Sequence, residues 1–132
     1  MRPDWRLFAA VAIGGALGSV TRFGLGSFLQ ARTTGPFPIG TFVVNVVGSL
    51  LIGLFVQLGM PEGAMSLQTR LLLTTGFCGG FTTFSTFSIE TVKLLDDRRY
   101  AVGVLYVSAS VVLSIVATIV GMRAGARFTA GR

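Results

Sequence analysis

Four apolar runs, near residues 7–29, 37–59, 67–95 and 101–122, leave this chain few folds to choose from. Each meets the ~20 residues that a helix rising ~1.5 Å per residue needs to cross a bilayer core. Only 12% of the residues are charged, against roughly 25% in soluble domains, and most of those charges lie outside or at the ends of the runs. The expectation is an all-α membrane protein made of one four-span transmembrane domain over residues 1–132, with nothing left for a soluble domain. Residues 1–6 followed by an apolar stretch resemble a signal peptide. The stretch continues to about residue 29 without a small-x-small cleavage site, so it is expected to be retained as a span. A single cysteine, Cys78, excludes an intramolecular disulfide framework. The lack of histidine removes the usual nitrogen and sulfur metal sites and most catalytic chemistry, so no enzyme is expected. The net charge of +6 comes from Arg and Lys scattered at span ends, where membrane proteins keep them, so no nucleic-acid partner is expected.

Four spans place both termini on one side. That side, with the 60–70 loop, carries Arg2, Arg6, Arg70, Arg123, Arg127 and Arg132. The other carries Arg32, Lys93, Arg98 and Arg99, and Arg22 if the end of the first span reaches it. Six against five is almost no bias, and Arg and Lys bias in short loops is what fixes orientation. The chain is therefore expected to insert both ways up. Four helices packed ~8–10 Å apart fill their own centre with side chains, so a polar pathway needs more than one copy. An inverted partner gives an antiparallel, dual-topology homodimer with its axis in the membrane plane. Gly14 and Gly18 form a GxxxG in the first span, and Gly48 and Gly53 lie in the second. They either allow close helix approach or reflect the general abundance of glycine in membrane helices.

Polar residues recur at helical spacing. Thr41, Asn45 and Ser49 step by four in the second span; Tyr106, Ser110, Ser114 and Thr118 do so in the fourth. Residues four apart share a face, so each set is a polar stripe along an apolar rod. A lone hydroxyl such as that of Ser108 ordinarily bonds back to its own helix. The Asn45 amide has donors and an acceptor that its own helix cannot satisfy, so it must meet another helix, water or a permeant species. Spans one, two and four lack Asp, Glu, Lys and His at membrane depth, unlike proton-coupled transporters. Glu90 is the only acid within a span and is given no role. Arg22 either snorkels to the interface as an anchor or attracts anions at a vestibule. Neutral hydroxyl and amide donors suit a small anion held loosely in passage. Phe84 and Phe87, three apart on one helix side, either pack or turn their weakly positive ring edges toward that anion.

Gly79-Gly80 in the third run is costly to helix propagation and is expected to break it near its middle. Carbonyls freed there must be satisfied in lipid, either by a cation such as Na⁺ or by hydroxyls relieving a glycine kink. The stretches "GFCGGFTTFSTFS", Gly76 to Ser88, and "GTFVVNVVGS", Gly40 to Ser49, strongly resemble the CrcB/Fluc family of fluoride channels, and the resemblance covers essentially the whole chain. It implies a dual-topology homodimer in a bacterial inner membrane, with two fluoride pores and a structural Na⁺ at its centre. The main-chain oxygens of Gly79 and Thr82 would hold the ion. Asn45, Phe84 and Phe87 would contact fluoride, with Tyr106, Ser110 and Ser114 as a polar track and Thr41 nearby. The rivals are a proton-coupled dual-topology exchanger, which predicts an essential acid in an early span where none is present, and a purely structural subunit whose stripes act as glue.

Overall fold

The computed structural model describes residues 4–61 and 64–130, and every regular element among them is helical. Arg2 and Arg132 of the charge tally lie outside the described residues. Three helices are long and apolar enough to cross a membrane: α1 (Trp5–Ala31), α2 (Ile39–Leu58) and a last helix, Tyr100–Ala130. Asp4 caps α1, its side chain accepting the Arg6 amide at 3.0 Å. Pro38 immediately precedes α2, where a missing N–H costs nothing. The last helix runs eight residues past the apolar run ending at 122, because Arg123 and Arg127 suit a helix emerging into water as well as any residue.

The third apolar run is not one helix. It is α3 (Leu67–Leu71), a π-helical turn over Leu72–Cys78, a short α4 (Gly79–Phe81), and then α5 (Phe84–Asp96). The interruption lies at Thr82-Thr83, whose backbone is extended, and not at Gly79-Gly80, which is where the sequence placed it. Gly79 has helical φ and ψ of −63° and −37°. The glycines serve contact instead. A Cβ on Gly80 would collide with the Gly15 carbonyl, and one on Gly14 or Gly18 would collide with the Leu72 or Phe77 carbonyl. Gly14-x-x-x-Gly18 thus meshes with Gly76-x-x-x-Gly80 inside one subunit, bringing two backbones together as small residues do in lipid.

The Tyr100–Ala130 helix, α6, packs most closely on α2. Gly53 and Gly121 sit where a side chain would strike the carbonyls of Thr118 and Leu50. The turn from α5 into α6 is tight. Arg99 N–H reaches Leu94 O at 2.8 Å and Arg98 N–H reaches Leu95 O at 3.0 Å, the pair of bonds that usually has glycine at the position held here by Arg98. Arg98 accordingly has φ of 56°.

Candidate ion pathway

The break is built by two side chains. Asn45, from the middle of α2, accepts the Thr83 amide on Oδ1 at 2.8 Å and donates Nδ2–H to the Thr83 carbonyl at 3.1 Å. Its amide thus meets the extended break between α4 and α5, and the second Nδ2 hydrogen is not used by this pair. Thr83 then caps α5, its hydroxyl accepting the Thr86 amide at 3.2 Å. Both amides are diverted from helical duty. In a continuous helix Thr83 N–H would bond Gly79 O and Thr86 N–H would bond Thr82 O. The carbonyls so released are those of Gly79 and Thr82. Arg22 lies within α1, nine residues before its end, is half-buried, and its Nε donates to Gly80 O at 3.1 Å, where Ser19 Oγ also reaches at 3.4 Å. Arg22 therefore leaves the loop tally, which becomes six against four.

A second cluster joins three helices. Glu90 on α5 accepts Thr41 Oγ1–H at 2.9 Å on one carboxylate oxygen and the Tyr106 hydroxyl at 2.7 Å on the other. Tyr106 is fully buried. Phe87 lies against it with ring centroids 5.2 Å apart, Phe37 meets it edge-on at 5.4 Å, and Phe84 follows Phe87 at 5.5 Å. One turn beyond Tyr106, Ser110 is 6% exposed and its Oγ has no hydrogen-bond partner among the described residues. Further along the stripe, the single Thr118 Oγ1 hydrogen is shared between Ser49 O at 3.1 Å and Ser114 O at 3.0 Å, a contact that links α6 to α2. Ser108 bonds back to Val104 O at 2.7 Å, as a lone hydroxyl should.

Three cavities flank these groups. One of about 280 Å³, open to the side, is lined by Asn45, Ser49, Gly79, Thr82, Thr83 and Phe84. A smaller one of about 130 Å³ is lined by Arg22, Thr41, Thr83 and Thr86 among others. A third, of about 330 Å³, is lined by Glu90 together with Pro36, Pro38, Lys93, Asp97 and Arg99 among others. The structure therefore gathers Thr41, Phe84, Phe87 and Tyr106 at α5, leaves Ser110 one turn from Tyr106 on α6, and places Asn45, Gly79 and Thr82 at the break. Ser114 stands one turn further down the α6 stripe. Sequence reasoning gave no role to Glu90, Thr83 or Phe37. For Thr83 the signal was present, a threonine three residues before Thr86 at the start of an amphipathic stretch. For Glu90 and Phe37 the partners are 16 to 69 residues away in the chain, and no local pattern points to them.

Comparison with known proteins places the sequence in a family. The family described as CrcB-like protein, Camphor Resistance (CrcB), matches residues 9–122. A protein of Geobacter sulfurreducens named fluoride-specific ion channel FluC is 48% identical over 115 residues, spanning 87% of this chain and 93% of its own. One of the same name from Rhizobium etli is 48% identical over 113 residues, 85% of this chain and 90% of its own. One from Thermus thermophilus is 44% identical over 118 residues, 89% and 92% of the two chains. These relatives are named as channels and not as enzymes. Identity at this level along nearly the full length of the chain establishes that it belongs to the CrcB-like family.

Proposed function

We propose that this chain is a fluoride channel of a bacterial inner membrane, conducting F⁻ passively out of the cytoplasm. The observation that carries the reading is Ser110 Oγ, a buried hydroxyl with no hydrogen-bond partner among the described residues, one turn from Tyr106. An unpaired buried donor costs ~1–3 kcal/mol, and a passing anion is what gives it a function. Tyr106, Ser110 and Ser114 form the track, Thr41 stands at its Glu90 end, and Asn45, Phe84 and Phe87 meet the ion near the break. Phe84 and Phe87 present ring edges, whose positive rim suits an anion. Fluoride enters cells as the neutral acid and dissociates inside. A membrane potential worth ~2.3 kcal/mol per charge per 100 mV then drives it outward without fuel.

The same reading makes the broken run, α3 through α5, a fourth crossing, and requires a second copy. Phe84 is 79% exposed beside an open cavity that contains the break. Polar backbone facing hydrocarbon is not tolerated. An inverted copy covers it and gives the antiparallel homodimer, which a six-to-four charge tally permits. Gly79 O and Thr82 O, relieved of their helical amides by Asn45 and Thr83, are hard oxygen donors that fit Na⁺. Bound there, Na⁺ would supply fixed positive charge beside the break. The chain's own residues fix the direction and spacing of those carbonyls.

Efflux from liposomes containing the purified protein, followed with fluoride and chloride electrodes, tests the channel. Fast F⁻ release independent of a proton gradient is expected. Chloride release of similar size, or no fluoride release, overturns the reading. Replacing Na⁺ by a large organic cation throughout should lower dimer stability, and an unchanged dimer would remove Gly79 and Thr82 as ligands.

A further inference from the structure

The cavity of about 330 Å³ lies between the α1–α2 connection and the α5–α6 turn. Pro36, Pro38, Glu90, Lys93, Asp97 and Arg99 are the lining residues that matter here. Glu90 belongs both to this wall and to the cluster with Thr41 and Tyr106. The cavity therefore meets the polar track at that carboxylate. Lys93, Asp97 and Arg99 are exposed, so the outer part of the cavity is open to water. An anion passing here encounters two carboxylates, at Glu90 and Asp97, and the chain sets two cations beside them.

We infer that this cavity is the outer mouth of the pore, and that Lys93 and Arg99 hold up the local fluoride concentration there against the repulsion of Glu90 and Asp97. The inference rests on the channel reading above. A single charge ~6 Å from the ion's path in water changes the local concentration of a monovalent ion about threefold. That effect works through solvent, extends ~30 Å at 0.01 M salt and shrinks to ~3 Å at 1 M. A mouth that concentrates its ion in this way has a signature that packing does not share. Cation and anion substitutions act in opposite directions, and both effects disappear with salt.

The experiment is the initial rate of F⁻ efflux from proteoliposomes holding the intact dimer, at about 0.01 M and about 1 M of an impermeant salt. Lys93→Gln and Arg99→Gln should each slow efflux about threefold at low salt. Asp97→Asn should speed it by a similar factor, and Lys93→Arg should match the wild type. At high salt all five proteins should converge. Wild-type rates in Lys93→Gln and Arg99→Gln at low salt overturn the inference, as do losses that persist undiminished at high salt, a fall in Asp97→Asn, or a loss in Lys93→Arg equal to that of Lys93→Gln. A wild-type protein that releases no fluoride fails differently: it removes the channel reading itself.

Discussion

The Tyr106 hydroxyl donates to Glu90 Oε2 at 2.7 Å, while Thr41 occupies the other carboxylate oxygen at 2.9 Å. The carboxylate therefore takes the place of an anion at the very donors assigned to fluoride. Each hydroxyl has one hydrogen to give. While Glu90 holds both, neither can donate to another anion, so the proposed conduction past this end would require the bonds to be exchanged.

Removing the Tyr106 hydroxyl leaves Glu90 Oε2 with its bond lost in a part-buried place. Tyr106→Phe should lower stability by about 1–3 kcal/mol, while the aromatic contacts to Phe37 and Phe87 persist. Thermal unfolding in detergent measures it, and an unchanged midpoint would mean that water replaces the tyrosine.

Asn45→Asp keeps the acceptor for Thr83 N–H but loses the donor to Thr83 O and introduces a negative charge beside the break. Fluoride efflux should be suppressed and stability should fall by about 1–3 kcal/mol. A fully active variant would contradict the assignment of Asn45 to the ion's route.

Phe84→Ile and Phe87→Ile should both abolish or cut fluoride flux. They should differ in stability, because Phe87 packs on buried Tyr106 whereas Phe84 is 79% exposed in the single subunit. Cross-linking should show that the dimer persists in both. Normal flux in the two variants would reduce the rings to packing.

Gly53→Ala places a methyl group against the Thr118 backbone, and α2 must move away from α6 to admit it. A cost of about 1–3 kcal/mol is expected. Gly24→Ala, with open space around its Cβ position, is the matched control and should be neutral or slightly stabilising. Equal behaviour of the two would show that the helices part easily.

Arg98→Gly relieves the left-handed φ of 56° without touching the two amide bonds of the turn. A gain of roughly 0.5–1 kcal/mol in unfolding free energy is expected. A loss would indicate that the Arg98 side chain has its own partner.

The membrane class, the three unbroken helices and the polar stripe on α6 were legible in the chain, because each depends on the order and spacing of residue types alone. An apolar run has to become a helix in lipid, where no other open structure satisfies its backbone. The position of the break was not legible in this way. Gly79-Gly80 has the stronger local tendency to interrupt a helix, yet Gly80 is held helical in contact with Gly15, and the interruption falls at Thr82-Thr83. Asn45, 38 residues away, takes both polar groups of Thr83 and fixes the site of the break. Likewise Glu90 became part of the candidate pathway only when folding carried Thr41 and Tyr106 to its two oxygens. Sequence determined what each segment is, since that follows from local composition. Tertiary structure decided which backbone and hydroxyl groups are paired and which are left free, because those partners come from distant parts of the chain.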